Sequence, residues 1–150
     1  MKKFLFLTAC AALLAACSAQ NYGSVSTEAI QEVLKAPKMA VTPDTPGWLL
    51  KEKDIHPLSD VELTQVRELL AAAEVRQVAE RYYRSADQGN RGDTTDKVFY
   101  LYASNAQCLG GRVFPGRVMM DDFNMSEEAQ QELYGILQPK LEKLYGSKLP

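Results

Sequence analysis

Cysteine, histidine and tryptophan are scarce in this 150-residue chain, and their scarcity excludes several kinds of protein. There are three cysteines, one histidine and one tryptophan. Cys10 and Cys17 lie in the N-terminal segment, so only Cys108 lies in the body of the chain. A disulfide-stapled fold needs pairs of cysteines, and the usual zinc sites need several Cys or His ligands. The sequence therefore predicts neither kind of protein, and we expect Cys108 to be a buried, reduced thiol.

The sequence also lacks the common catalytic motifs. It has no glycine-rich phosphate loop, no serine-centred nucleophile elbow and no internal repeat. A Cys108–His56 pair lacks a third, orienting group, and the adjacent Asp121 and Asp122 are ordinary turn residues beside a strand end. We therefore expect no enzyme, no cofactor and no metal site. If the chain were an enzyme, its chemistry would have to involve Cys108 or Asp121.

A strongly patterned segment is present at the N-terminus. Lys2 and Lys3 precede an apolar run from Phe4 to Ala16, and that run is shorter than the roughly 20 apolar residues that span a bilayer. Positive charge, a short apolar run and small residues before a cleavage point are typical of a removable signal peptide. The pattern predicts that residues 1–16 are absent from the mature protein.

The end of this segment, Leu14-Ala15-Ala16-Cys17, resembles the lipobox of bacterial lipoproteins. In that class the cysteine thiol receives a diacylglycerol, the signal peptide is cut before the cysteine, and the new amine is acylated. The resemblance therefore implies palmitate-type acyl chains on Cys17. Ser18 stands where an aspartate favours retention in the inner membrane in enteric-type sorting, which implies the outer membrane. Several acyl chains together anchor a protein stably, whereas one chain does not.

Removal of residues 1–16 makes the chain more acidic. Because Lys2 and Lys3 are lost, 15 of the 17 basic residues remain against 19 acidic residues, a net charge of −4. Nucleic acids and anionic lipid surfaces attract basic proteins. The mature chain is therefore not expected to bind nucleic acid, and the acyl chains on Cys17 should make its contact with the outer membrane.

After the signal peptide, the sequence predicts a lipidated tether at residues 17–26 and a single α+β domain at residues 27–150. A short helix is predicted at residues 27–35. Residues 36–58 contain four of the seven prolines, and we expect them to form a long, Pro-rich loop. Loops of that length are uncommon in compact domains and often have a function.

The second half of the chain has clearer helix and strand signals. Ser59 and Glu62 form a capping box that predicts a helix ending near Ala73. Residues 74–84 fit either a helix or a strand, and the choice stays open. Apolar segments rich in β-branched and aromatic residues predict an antiparallel meander of three strands, with residues 75–83 as a possible fourth; the three strands are 98–103, 108–114 and 117–120.

A C-terminal helix is predicted after Ser126, which is a suitable N-cap. Pro139 is expected to end this helix near residue 138 with a kink, or to begin a second one. Gly146 is expected to end the helical segment. The predicted fold class is therefore α+β, with N-terminal helices, an antiparallel β-meander of three to four strands and a C-terminal helix.

A contact site for a partner is predicted at Trp48, Leu49 and Leu50, inside the Pro-rich loop. Tryptophan is a frequent anchor at interfaces. It is also highly buried on average, so the alternative is that these three residues pack into the core. The predicted function is a lipid-anchored, non-enzymatic accessory that binds another envelope protein and faces the periplasm or the cell surface. The alternative is an inhibitor or immunity lipoprotein that neutralises a toxin or a wall-degrading enzyme.

Overall fold

The computed structural model describes residues 27–43, 50–76, 97–103 and 108–150. In these ranges the helices are α1 (Thr27–Leu34), α2 (Asp60–Ala72) and α3 (Glu127–Tyr145), with short 3₁₀ turns at Glu52–Asp54 and Gly146–Lys148. The strands are β1 (Met39–Pro43), β2 (His56–Pro57), β3 (Glu74–Val75), β4 (Lys97–Ala103), β5 (Cys108–Phe114), β6 (Arg117–Met120) and β7 (Phe123–Asn124). The predicted α+β class is confirmed.

Five of the strands form one antiparallel sheet in the order β2-β1-β4-β5-β6. The predicted meander corresponds to β4, β5 and β6, and its register pairs Phe99 with Gly111 and Gly111 with Met120. Pro115 and Gly116 join β5 to β6, and Gly116 has a φ of +71°. Glycine adopts that left-handed conformation without steric cost, which explains its place in the turn.

Residues 36–58 are not a single irregular loop, because they contain both β1 and β2. β1 lies inside the sheet, between β2 and β4. Met39, Ala40, Val41 and Thr42 are each at most 1% exposed and include no proline. Pro43 is only the last residue of β1, and Pro57 lies on the edge strand, where a missing amide hydrogen is tolerated. The prolines flank the interior strand, so the composition of the whole stretch concealed it.

The undecided stretch at residues 74–84 begins as a strand. β3 pairs with β7 as a separate two-stranded sheet, with Val75 opposite Phe123. Residues 77–84 lie outside the described part of the chain. Val75, the first residue of the possible fourth strand at 75–83, therefore belongs to this second sheet, and the described neighbour of β4 on its other side is β1.

Two helix predictions had different outcomes. The capping box before α2 is confirmed, since the Glu62 amide donates to Ser59 Oγ at 3.2 Å and the Ser59 amide donates to Glu62 Oε1 at 2.8 Å. In contrast, α3 continues through Pro139 to Tyr145, so the prediction of a helix ending near residue 138 was wrong. Pro139 and Gly135, whose carbonyl loses its usual amide partner, are both exposed, and water can satisfy that carbonyl.

The three helices cover one face of the five-stranded sheet, which we call the inner face. Alternate residues of each strand point to it, as the period of two requires. Fully buried side chains from α1, α2 and α3, such as Ile30, Val66 and Leu137, belong to one apolar cluster with this face. The sheet residues of the inner face are Met39, Val41, Phe99, Leu101, Ala103, Leu109, Gly111, Val113, Val118 and Met120.

Gly111 is the place on the inner face where space is tightest. A Cβ atom at this position would lie 2.6 Å from Phe99 Cζ and 2.9 Å from Met120 Sδ. Both neighbours are completely buried, so neither can move into solvent. Close packing of this kind makes added volume costly. The absence of a side chain at position 111 is therefore required by the core.

We predict that Gly111→Ala lowers the free energy of unfolding by about 1–3 kcal/mol or more, because the new methyl group overlaps the Phe99 ring. The control is Gly135→Ala on the exposed side of α3, where a Cβ meets nothing within 4 Å. That change should stabilise the helix by about 0.5–1 kcal/mol. Urea unfolding of both variants gives the comparison, and a Gly111→Ala protein as stable as the unchanged chain would contradict the packing described here.

Candidate functional site

Of the four predicted site residues, the structure describes only Leu50; Cys17, Trp48 and Leu49 lie outside the described residues. Leu50 is half-buried and packs against a small apolar cluster formed by Ala40, Ile55, Tyr102 and Cys108. This cluster lies on the face of the sheet opposite the helices, which we call the outer face. Leu50 therefore contributes to packing on the outer face, next to the end of the predicted contact site.

The outer face changes in character from one end to the other. At the apolar end, Ala40 and Tyr102 are 0% and 1% exposed, and Leu50 and Ile55 pack over them. The next residues along β1 and β5 are polar or small. Thr42 is fully buried, and its Oγ1 has no hydrogen-bond partner among the residues that the structure describes. Arg112 on β5 is 8% exposed. Buried polar side chains usually form hydrogen bonds, so the Thr42 hydroxyl is the unusual group on this face.

Cys108 lies at the start of β5 on the outer face and is 7% exposed. Its burial agrees with the expectation, but its sulfur is disulfide-bonded, so the expectation of a reduced thiol was wrong for the chain in this form. The other two cysteines, Cys10 and Cys17, lie outside the described residues. A lipidated Cys17 sulfur is a thioether and cannot form a disulfide, so the chemical states of Cys17 and Cys108 have to be measured together.

The suggested Cys108–His56 pair is not assembled. His56 is opposite Val41 in the register, and Val41 points to the inner face. Cys108 is opposite Tyr102 and packs on the outer face. The sheet therefore separates the two side chains, and the hydrogen bond that a nucleophile and its base require cannot form in this arrangement.

The adjacent carboxylates Asp121 and Asp122 are engaged in different parts of the turn between β6 and β7. Asp121 Oδ1 lies 3.3 Å from Arg112 Nε, although the two atoms lack hydrogen-bond geometry. The Asp122 carbonyl accepts a 2.9 Å hydrogen bond from the Arg76 amide, and Asp122 itself is 8% exposed. The ion pair with Arg112 gives Asp121 a role in packing the outer face, which sequence reasoning did not foresee.

A second cluster of charged side chains lies where α2 and α3 meet β2, the edge strand on the other side of the sheet from β6. Lys140 Nζ lies 2.9 Å from Glu62 Oε1, the same oxygen that receives the Ser59 amide. Burial acts to raise the pKa of Glu62, but the Ser59 and Lys140 hydrogen bonds outweigh it and hold that pKa below its ordinary value. Burial also lowers the pKa of His56, with Lys143 and then Lys140 adding to the effect and Asp54 opposing it.

Two arginines that the sequence reasoning passed over are the most unusual charged groups in the described chain. Arg112 is buried in a strand that is otherwise apolar or glycine, Cys108–Phe114. Arg76 follows β3, and its Nε donates to the Phe123 carbonyl at 2.9 Å. For Arg112, the signal available in the sequence was a single charged residue in a strand whose other residues are all uncharged.

Comparisons with known proteins do not place the chain in a family. No known protein family, curated protein sequence or solved structure matches the chain. Within the described ranges, no three His, Cys, Asp or Glu side chains come close enough together to hold a metal ion. In those same ranges, none of the helices has the length and apolar character that a membrane crossing requires.

We predict that the chain loses stability between about pH 7.5 and about pH 5.5, the range in which histidine titrates. The folded pKa of His56 lies below its ordinary value of 6.5, so the unfolded chain binds more protons in this window. Stability is therefore present above pH 6.5 and is lost as pH falls through the folded pKa. The midpoints of urea unfolding at about pH 7.5 and about pH 5.5 measure this loss of stability. His56→Gln should remove much of the pH dependence, and an identical dependence in the variant would rule His56 out as its source.

Proposed function

We propose that the mature protein is a lipoprotein of the outer membrane, anchored through acyl chains on Cys17, that acts as a non-enzymatic accessory by binding another envelope protein. The observation that carries the anchoring is the sequence Leu14-Ala15-Ala16-Cys17 after two lysines and a short apolar run. The first described helix begins at Thr27, ten residues beyond Cys17. Ten residues reach at most about 35 Å, so the folded part of the chain stays close to the lipid surface.

The proposed contact with the partner is the apolar sequence Trp48-Leu49-Leu50. β1 ends at Pro43, and the described chain resumes at Leu50, so Trp48 belongs to a connection of six residues. Leu50 is attached to the outer face through the Tyr102 and Ile55 cluster. This attachment supports the proposal, because a contact residue next to a fixed point loses less conformational entropy on binding than one on a free loop.

A second candidate function, the inhibitor or immunity lipoprotein, is favoured by the charge of the helix layer. The helices α1, α2 and α3 carry nine acidic and three basic residues, a net charge of −6. The mature chain as a whole has a net charge of −4, so the negative charge is concentrated on the helices. An acidic surface attracts basic proteins and speeds their association. A basic target enzyme would suit this surface.

The anchoring proposal predicts that Cys17→Ala abolishes partitioning into detergent and leaves an unprocessed or soluble protein. Loss of the thiol removes the attachment point for diacylglycerol, and membrane retention depends on the acyl chains. Intact-mass analysis of the unchanged protein should show a chain that begins at Cys17 and carries acyl groups. The control is Cys10→Ala, which lies inside the removed segment and should be processed normally.

The same mass measurement reports on Cys108. In a lipidated mature chain Cys10 is lost and the Cys17 sulfur is a thioether, so Cys108 should react with one equivalent of a thiol reagent after denaturation. An unmodified Cys17, or a Cys17–Cys108 disulfide in the mature protein, would contradict the proposal of a lipid anchor.

For the contact site, we predict that Trp48→Ala weakens capture of the partner by roughly 2 kcal/mol or more while the melting temperature is kept, because a buried aromatic anchor is lost from the interface. Crosslinking and pull-down from intact envelopes measure capture. The control is Val61→Ala on α2, since Val61 is an apolar side chain that is 68% exposed.

A large loss of stability in Trp48→Ala would contradict the proposed contact. If Trp48 is a core residue, the alanine variant should lose about 3–5 kcal/mol of stability, and binding should fail only as the protein unfolds. That outcome would remove Trp48 from the contact site and leave the acidic helix layer as the better candidate surface.

A further inference from the structure

We propose that protonation of His56 releases the C-terminal segment of α3, residues 140–145, from the sheet and from α2 while the rest of the chain stays folded. This pH-sensitive switch is independent of the lipid anchor and of the contact at Trp48. It rests on the position of His56 beside α3, on the charges near it, and on the proline within α3. Each of these groups lies within the described residues.

His56 lies on the side of the sheet that α3 covers. It is opposite Val41 in the register of β1 and β2, and Val41 belongs to the inner face. α3 packs on β1, and its residues Lys140 and Lys143 are close enough to act on the charge of His56. His56 is only half-buried, so protons from solvent can reach its ring. A change in its charge therefore takes place at the boundary between the sheet and α3.

The charges that α3 presents to His56 are positive. Burial lowers the pKa of His56 most, and Lys143 and Lys140 lower it further. Asp54, in the 3₁₀ turn before β2, is the opposing charge. β1 carries no charged residue, and the Glu62 carboxylate of α2 is bound to Lys140. A protonated His56 therefore adds a third positive charge beside two lysines of one helical segment, and like charges repel.

Pro139 makes residues 140–145 separable from the rest of α3. A proline has no amide hydrogen, so the Gly135 carbonyl lacks its usual helical hydrogen bond. Pro139 and Gly135 are both exposed, and water can bind that carbonyl. Sharp bends in helices occur mostly at prolines. The segment after Pro139 can therefore move without unfolding of the first part of α3.

The segment is held by contacts to the core, to β4 and to α2. Leu141 is completely buried, and the Tyr145 hydroxyl donates to a backbone carbonyl of β4. Lys140 Nζ lies 2.9 Å from Glu62 Oε1 on α2. Lys140 is thus both a contact that holds the segment and a charge that disfavours a proton on His56.

The direction of the effect follows from proton binding. In the closed state, burial and the two lysines hold the pKa of His56 below 6.5. Displacement of residues 140–145 removes both lysines and exposes the ring, so the pKa returns toward 6.5 in the open state. The open state therefore binds more protons, and it gains population as the pH falls from above 6.5 through the lower pKa of the closed state.

The test is hydrogen exchange of the full-length protein in detergent at about pH 7.5 and about pH 5.5, with each amide rate divided by its intrinsic rate. We expect protection of residues 140–145 to fall by roughly threefold or more at the lower pH, while α2 and the first part of α3 keep theirs. His56→Gln should abolish the fall. Lys143→Gln should reduce it, because one of the charges that oppose protonation is gone.

The matched control is Lys148→Gln, which removes an exposed lysine just beyond the segment. Its pH dependence should equal that of the unchanged protein. An equal loss of protection in α2 and in residues 140–145 would show unfolding of the whole chain instead of release of one segment. A local fall that persists in His56→Gln would place the sensor elsewhere. Either result overturns the proposal.

Discussion

The contact of Phe99 with Gly111 is the one on which the sheet and the helices both depend. Phe99 fills the space above Gly111 that any side chain there would need. Because β4, β5 and β6 are adjacent in the sheet, this contact sets the shape of the inner face at its centre. The helices then pack on a surface whose apolar residues come from four of the five strands. The absence of a side chain at position 111 thus lets Phe99 and Met120 pack in the core beneath the helices.

Features encoded by neighbouring residues were predictable from the sequence. The Ser59–Glu62 capping box, the Ser126 cap and the Pro115-Gly116 turn each depend on residues that are close along the chain, and each is present. β1 was missed because its partners, β2 and β4, are distant, and because four prolines dominate the composition around it. A strand inside a sheet is defined by its neighbours, which a single sequence does not display.

Contacts between distant segments also determine the surroundings of the candidate site residues. Leu50 was predicted as part of an exposed contact, and its packing against Tyr102 and Ile55 depends on a face of the sheet that includes β1. Arg112 was passed over because a lone charge in a strand usually faces solvent. Its burial depends on tertiary structure and not on the pattern of β5 itself. The interpretation of Cys17 depends on the local sequence alone; Cys17 lies outside the described residues, so its lipidation stays a prediction.

The position of β1 also affects the order in which the strands of the sheet can pair during folding. Its pairs with β4 join residues that are 56 to 64 positions apart, from Pro43–Phe99 to Met39–Ala103, whereas β5 and β6 are joined by a two-residue turn. Closing a long loop costs chain entropy, and pairing between distant segments slows folding. Until β1 is in place, one edge of β4 has no neighbouring strand. An unpaired edge is a template for association with another chain, so a newly made polypeptide is prone to associate with other chains until β1 has paired with β4.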